Sequence, residues 1–273
     1  MINLGQDENI AVLLWRAVWG EAMKIKLNVP SSLVNEKCKV DMYLPDAERF
    51  PVIVHIHGGG LVDGHRAEPH FQDQAKFFAE RGYAFVSVGY RLYTDGARFP
   101  DYLNDVAEAV AFVKEQLKNE AEKIVIAGQS AGAWMALLLC LNPEYLRRVN
   151  IEPTEIDGWV IESAQTTSHF NVLKQERGCD PRLQRVDEFA PLYYVSDKTS
   201  FSRMLLFFYD RDMACREEQN MLFIKSIFYF NPQANLKYQK LVGTHCFGSI
   251  KKDENGEYAF ARETLKWLKE EGI

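Results

Sequence analysis

Residues 128–132 read GQSAG, and this pentapeptide decides the fold class expected of the chain. It follows the apolar, β-branched run KIVIA at residues 123–127 and precedes a segment of helical character at residues 131–141. A Gly-x-Ser-x-Gly turn between a strand and a helix is typical of a nucleophile elbow, whose strained turn projects the serine hydroxyl beyond the sheet. Side chains at either glycine would clash in such a turn. The pentapeptide therefore predicts Ser130 as a nucleophile.

A run of three glycines lies upstream of this turn. The buried-strand pattern PVIVHIH at residues 51–57 ends in Gly58, Gly59 and Gly60. Consecutive glycines after a strand leave backbone N–H groups accessible to a ligand that bulkier residues would keep away. In isolation the run is compatible with a flexible turn. Ahead of a nucleophile elbow it predicts an oxyanion hole, which the N–H of Ala131 would complete.

Two histidines in the same strand, His55 and His57, have a spacing that a metal site could use. Metal-dependent hydrolases need further His and Asp ligands downstream, and the glycine run favours another interpretation. We therefore expect His57 to brace the glycine loop and His55 to be a hydrogen-bonded core residue, with no metal and no cofactor.

The composition excludes several classes of protein. The 273 residues are 47% hydrophobic, enough for a substantial core, and the formal net charge of −6 offers no basis for binding nucleic acid or an anionic membrane. Five cysteines, an odd number without metal-ligand spacing, favour a reducing compartment. The N-terminus lacks the basic region of a signal peptide, and the apolar stretch at residues 10–18 is short and contains Arg16. We expect a cytoplasmic protein.

Strand-like and helix-like segments alternate from residue 51 onward, which predicts an α/β fold with a mostly parallel sheet covered on both faces. Residues 23–29 and 37–44 alternate between polar and apolar side chains and predict half-exposed antiparallel strands at one edge. The further predicted strands are residues 83–88, 123–127, 156–161, 204–209 and 236–242, and the predicted helices are residues 71–81, 103–117, 131–141, 217–228 and 259–270.

We expect residues 1–273 to form a single domain. Residues 163–202 contain no clear strand and are interpreted as an excursion above the sheet. Together with the aromatic segment at residues 1–22, this excursion is predicted to supply cap elements.

Ser130 requires a general base, and in a fold of this type the base follows the nucleophile along the chain. Two histidines follow it: His169 lies in the excursion, whereas His245 comes directly after the last predicted strand. Catalytic groups of such sheets lie at the carboxyl ends of strands, so His245 is the predicted base.

The base in turn requires an orienting carboxylate. Asp210 and Asp212 both follow the strand predicted at residues 204–209, and Glu162 follows the strand before it. Position along the chain leaves all three open.

Several motifs recur in an ordered set: HGGG at residues 57–60, GYRL at 89–92, RFP at 98–100, the elbow, and Gly-x-His-x-Phe at 243–247. This set resembles the α/β-hydrolase esterases, within them the hormone-sensitive-lipase-like group and the neighbouring bacterial acetyl and feruloyl esterases. The resemblance extends over roughly residues 36–270. It implies that Asp212 is the acid, because a family His-Gly-x-x-Asp segment aligns with residues 208–212, although Phe-Tyr stands here in place of His-Gly.

The resemblance also implies that the N–H groups of Gly59 and Gly60 join that of Ala131 in the oxyanion hole. Leu61, next to the glycines, and Trp134, one turn into the elbow helix, are predicted to contact the substrate, and Trp134 is equally compatible with a core role.

The expected activity is hydrolysis of small, short-chain acyl esters, including acylated sugars, through a Ser130 acyl-enzyme. An amidase of the formamidase type would use the same residues. The alternative outside enzymes is a hydrolase fold that serves as a ligand receptor. The expected partner is a small ester rather than nucleic acid or a membrane, and a homo-oligomer is compatible with the sequence.

Overall fold

The computed structural model describes residues 23–273, so the cap element predicted at residues 1–22 lies outside the described residues. The strands are β1 (Met23–Pro30), β2 (Lys39–Pro45), β3 (Phe50–Ile56), β4 (Ala84–Val88), β5 (Ala121–Gln129), β6 (Gly158–Glu162), β7 (Met204–Arg211) and β8 (Leu236–Thr244). The helices of this part of the chain are α1 (Pro69–Ala79), α2 (Asp101–Gln116), α3 (Ala131–Leu141), α4 (Glu144–Arg147), α5 (Phe170–Glu176), α6 (Arg216–Phe230), α7 (Phe247–Ile250) and α8 (Ala259–Glu270).

The strands form one eight-stranded sheet in the order β1-β2-β4-β3-β5-β6-β7-β8. β2 pairs antiparallel with both β1 and β4, and every other pair is parallel. The predicted α/β fold with antiparallel strands at one edge is confirmed. From β3 the chain continues to β4 on one side, whereas β5 and the later strands follow on the other side, so the strand order reverses between the neighbours β3 and β5. In open α/β sheets, ligands bind beyond the carboxyl ends of the strands at such a point.

The two faces of the sheet carry separate cores. Alternate residues of a strand point to opposite faces, so Ile124 and Ile126 pack with α2 and α3, whereas Val125 and Ala127 pack with α1 and α8. Residues 131–140 of α3 are buried on all sides, which explains their lack of charged side chains. The helix after the elbow is therefore held firmly in the centre of the molecule.

Strand β2 differs from the half-exposed strand that its alternating sequence predicts. Its residues from Val40 to Pro45 are all buried, because β1 covers its outer edge and helices cover both faces. The polar member of the alternation, Asp41, lies within 3.3 Å of the Arg66 guanidinium, and both side chains are buried. The polar residue in the alternating sequence of β2 therefore belongs to a buried ion pair and does not mark a solvent-exposed face.

Residues 163–202 contain no strand, as expected, and consist of α5, a short 3-10 turn at Pro191–Tyr194 and irregular loops. Two hydrogen bonds connect this excursion to the elbow region: Trp134 Nε1 donates to the carbonyl O of Phe189 at 3.0 Å, and Asn171 Nδ2 donates to the carbonyl O of Gly60 at 2.6 Å. Between residues 23 and 273, no helix is long and apolar enough to cross a membrane.

Candidate active site

Ser130 occupies the turn between β5 and α3 with φ 52° and ψ −115°, a strained conformation for a residue with a side chain. Its amide donates to the carbonyl O of Glu162 at 2.8 Å, and its own carbonyl accepts from the Trp134 amide at 3.0 Å. These bonds from the neighbouring strand and from α3 hold the strained turn in place.

The two glycines of the elbow are required by close packing of backbone on backbone. A Cβ on Gly132 would lie 2.1 Å from the carbonyl O of Ile56, and one on Gly128 would lie 2.5 Å from the backbone of Gly132. Such separations are far below van der Waals contact. The predicted clash at both glycines is confirmed, and the close approach brings the elbow against the end of β3.

His245 stands between Ser130 and Asp212. Its Nε2 lies 2.8 Å from Ser130 Oγ, and its Nδ1 lies 2.5 Å from Asp212 Oδ1. Because a carboxylate only accepts hydrogen bonds, Nδ1 carries the proton and Nε2 is the acceptor for the serine hydroxyl. The three residues follow β5, β7 and β8, whose carboxyl ends lie at one edge of the sheet.

The Asp212 carboxylate is almost completely buried and fully hydrogen-bonded. Oδ1 also accepts from the Met213 amide at 2.7 Å, and Oδ2 accepts from Ser163 Oγ at 2.8 Å. Burial acts to raise the pKa of Asp212, but the hydrogen bonds from His245, Met213 and Ser163 hold it below its ordinary value. Asp212 is therefore charged at neutral pH.

The other two candidate carboxylates make different contacts within residues 23–273. Asp210 is partly exposed, accepts from the Gly243 amide at 2.8 Å and thereby stabilises the loop ahead of His245. Glu162 is completely buried and accepts from the Tyr209 hydroxyl at 2.5 Å. Of the three, Asp212 alone is hydrogen-bonded to His245. The other histidine, His169, is the N-cap of α5 and accepts from the Asn171 amide at 3.2 Å.

Contacts to the carbonyl oxygens of the glycine loop orient its peptide groups. The carbonyl O of Gly58 lies 2.8 Å from His57 Nδ1 and 3.3 Å from the Tyr90 hydroxyl. In a trans peptide the next N–H points the opposite way, so these contacts direct the N–H of Gly59. The carbonyl O of Gly59 accepts from the Val62 and Asp63 amides at 3.2 and 3.0 Å and similarly directs the N–H of Gly60.

The amides of Gly59, Gly60 and Ala131 donate no hydrogen bond to any group within residues 23–273. Gly59 has φ 102°, and a Cβ there would lie 1.9 Å from the carbonyl O of Asp63, so only glycine fits. Ala131 begins an 11-residue helix, whose N-terminus favours negative charge. Among the described residues, these three amides are thus donors without an acceptor, as the predicted oxyanion hole requires.

The two strand-end histidines have different environments. His57 braces the glycine loop as expected and stacks on Tyr90, with ring centroids 4.3 Å apart. His55 was expected to be hydrogen-bonded, and this is wrong: neither ring nitrogen has a partner among the described residues. Its ring packs against Phe71 and Phe85, which offer no polar atom. Burial lowers the pKa of His55 to about 3, so the ring is neutral.

Leu61 and Trp134, predicted to contact the substrate, are both core residues with 0% exposure. Trp134 is covered by the excursion through its bond to Phe189, and its ring lies 6.2 Å from that of Phe99. Leu61 belongs to the same hydrophobic core. Both side chains are covered in this conformation, and their contact with a substrate stays a prediction.

Two contact residues were not predicted from the sequence. Ser163 donates to Asp212 and has φ 53°, and Asn171 holds the Gly60 carbonyl from the excursion. Ser163 directly follows β6, and that position at a strand end was the available signal. No sequence signal pointed to Asn171, because its contact joins residues 111 apart in sequence.

The fold and the arrangement of Ser130, His245 and Asp212 define the class of the protein as an α/β-hydrolase with the geometry of a serine hydrolase. Residues 40–172 match the family model described as BD-FAE. The resemblance to esterases with an α/β-hydrolase fold is confirmed.

Curated relatives match part of the chain. A kynurenine formamidase, avaC, from Aspergillus versicolor is 32% identical over 118 residues, which are 39% of this chain and 41% of that protein. Gut esterase 1 from Caenorhabditis elegans is 31% identical over 129 residues, which are 41% of this chain and 23% of that protein. The chain thus matches less than half the length of either relative.

A solved structure matches nearly the whole chain. Esterase B from Lactobacillus rhamnosis, inhibited by a tributyrin phosphonate, superposes with a TM-score of 0.74 at 17% identity. The match covers 97% of this chain and 96% of that one, so the two share a fold.

Proposed function

We propose that the protein hydrolyses carboxylic esters through an acyl-enzyme on Ser130. The observation that carries the proposal is the hydrogen-bonded series from Ser130 through His245 to the buried, charged Asp212. A receptor that merely shared the fold would not need these contacts, nor the unpaired amides beside the serine.

The mechanism follows from these contacts. His245 Nε2 takes the Ser130 proton as Oγ attacks the acyl carbon, and Asp212 stabilises the imidazolium that forms. The negative oxygen accepts hydrogen bonds from Gly59, Gly60 and Ala131. The intermediate collapses to the acyl-enzyme while His245 returns the proton to the leaving alcohol. Water then attacks the acyl carbon by the same steps and releases the acid and free Ser130.

Short acyl chains are the proposed substrates. The superposed Esterase B is inhibited by a tributyrin phosphonate, and a matching relative is a gut esterase. Within residues 23–273, Leu61 after the glycine run and Trp134 after the elbow are both completely buried, so neither offers exposed apolar surface to a long acyl chain. Acetylated sugars are the natural substrates that we infer from the resemblance to acetyl esterases.

We expect 4-nitrophenyl acetate to butyrate to be cleaved far faster than longer esters, because the acyl group must fit beside a filled core. The measurement is kcat/KM along the ester series, with the matching 4-nitroanilides as a control for amide cleavage. Maximal activity at about ten acyl carbons or more would contradict this prediction, since a pocket able to bury such a chain would then be needed.

A formamidase is the second candidate, favoured by the match to a kynurenine formamidase. Formyl is the smallest acyl group and would use the same three residues. Kinetics on an N-formyl aromatic amine and on 4-nitrophenyl acetate distinguish the two. A formamide kcat/KM above that of the ester would replace the esterase proposal with this one.

Three further proposals go with this function. The excursion at residues 163–202 acts as a cap element, supported by its contacts with Trp134 and Gly60. The protein works in the cytoplasm, supported by its five cysteines, all within the described residues and all free thiols. Cell fractionation tests the location. A homo-oligomer stays a prediction that sedimentation would test.

A further inference from the structure

The end of β6 contacts all the segments that carry the proposed triad. The carbonyl O of Glu162 accepts from the Ser130 amide at 2.8 Å. The next residue, Ser163, donates from Oγ to Asp212 Oδ2 at 2.8 Å and accepts from the Cys246 amide at 3.3 Å. Cys246 directly follows His245. A displacement of Glu162 would therefore reach every member of the triad.

The side chain of Glu162 makes a separate connection to the His245 loop through Tyr209. The Tyr209 hydroxyl donates to Glu162 Oε1 at 2.5 Å and accepts from the Gly248 amide at 2.8 Å. A Cβ on Gly248 would lie 2.5 Å from that hydroxyl oxygen, so glycine permits the close approach. The hydroxyl has one proton and uses it on Glu162, which fixes its orientation toward the loop.

The surroundings of Glu162 favour an uncharged carboxyl. The side chain is completely buried, forms no ion pair within residues 23–273, and its Oε2 has no hydrogen-bond partner there. A carboxylate in such a place is costly unless it is paired. Burial raises the pKa of Glu162 to about 7, the charge of Asp212 adds to this effect, and the hydroxyls of Ser249 and Tyr209 oppose it.

We propose that Glu162 is a positioning residue of the triad, whose neutral carboxyl holds the His245 loop through Tyr209 and whose ionisation disrupts that connection. This inference rests on the proposed function. Ionisation would place a second buried anion beside Asp212 and leave Oε2 unsolvated. The structure would relieve both by moving Glu162 or admitting water, and either shift disturbs the bond from Tyr209 to the loop.

The titratable neighbours of Glu162 do not change charge in the same range. Tyr209 on β7 and Cys246 on the His245 loop both have pKa values raised by burial, so both stay neutral. Asp212 has a lowered pKa and stays charged. The neighbours contributed by β5 and α7, Gln129 and Ser249, do not titrate. A change of charge in this cluster near neutral pH is therefore assigned to Glu162.

We expect kcat of the natural chain to fall as the pH rises through the range in which Glu162 ionises. Glu162→Gln keeps an acceptor oxygen for Tyr209 and cannot ionise, so it should lose this fall. Glu155→Gln, at an exposed carboxylate, is the matched control and should leave the profile unchanged. Superimposable profiles for the natural chain and Glu162→Gln would overturn the proposal.

Tyr209→Phe tests the connection itself. It removes the hydroxyl that joins Glu162 to Gly248 and should lower kcat by about 10- to 100-fold at every pH, with KM little changed, since the loop rather than substrate binding is affected. An unchanged kcat would contradict the proposal.

A measurement without turnover separates this proposal from the proposed function. In the Ser130→Ala background we compare the thermal midpoint between pH 4 and 9 with Glu or Gln at position 162. An acid whose pKa is raised on folding stabilises below its unfolded pKa of about 4.5 and loses that contribution as pH rises through the folded value. With Glu at position 162 the thermal midpoint should fall as the pH rises toward 8, and with Gln it should not. Equal pH dependence of the two midpoints would overturn the proposal, even if Ser130→Ala abolishes activity.

Discussion

Ser130→Ala is expected to lower kcat by a factor on the order of 10⁶, because the variant loses the hydroxyl that His245 Nε2 contacts and would activate. The change removes a single oxygen atom and leaves the backbone bonds to Glu162 and Trp134 intact. The free energy of unfolding should therefore change by no more than about 0.5 kcal/mol. Steady-state kinetics and chemical denaturation measure the two quantities.

Ser226→Ala is the matched control for this variant. Ser226 lies on the exposed face of α6 and donates only to the carbonyl O of Leu222, so its loss should leave kcat unchanged. Near-normal turnover by purified Ser130→Ala would remove Ser130 from the mechanism and with it the proposed function.

Asp212→Asn is expected to lower kcat by a factor near 10⁴, although it keeps the shape of the side chain. The carboxamide can turn its NH2 group toward His245 and thereby favour the tautomer with the proton on Nε2, which cannot accept the Ser130 proton. The bond from Ser163 to Oδ2 would also lose its charged acceptor. The measurement is kcat/KM of the variant and the natural chain at the same pH.

Asp210→Asn provides the comparison two residues away. Asp210 is partly exposed, and an asparagine oxygen can still accept from the Gly243 amide. Its loss of charge affects only the surface pair with Arg211, so kcat should fall by less than about fivefold. A crippled Asp210→Asn beside an active Asp212→Asn would mean that the loop rearranges during turnover and exchanges the two carboxylates.

The structure explains why residue order along the chain could not choose between these two aspartates. The strand predicted at residues 204–209 extends to Arg211 in β7, so Asp210 lies within the strand and Asp212 is the first residue beyond it. A difference of two residues in a strand end is beyond what local pattern specifies. The family register pointed to Asp212, and the contact with His245 is made by Asp212.

Local sequence patterns were sufficient to predict the sheet, its antiparallel edge, the elbow at Ser130 and the placement of His245 after the last strand. These features depend on short runs of residues: β-branched segments, glycines where backbones touch, and the rule that parallel strands bring their carboxyl ends together.

Tertiary packing decided the rest. Whether Asp41 faces water or Arg66, whether His55 finds a partner, and whether Leu61 and Trp134 are covered all depend on residues distant in the chain. The same holds for Glu162, whose burial, and not its neighbours in sequence, raises its pKa. Solvent exposure and partner atoms are properties of the assembled fold, so no run of adjacent residues encodes them.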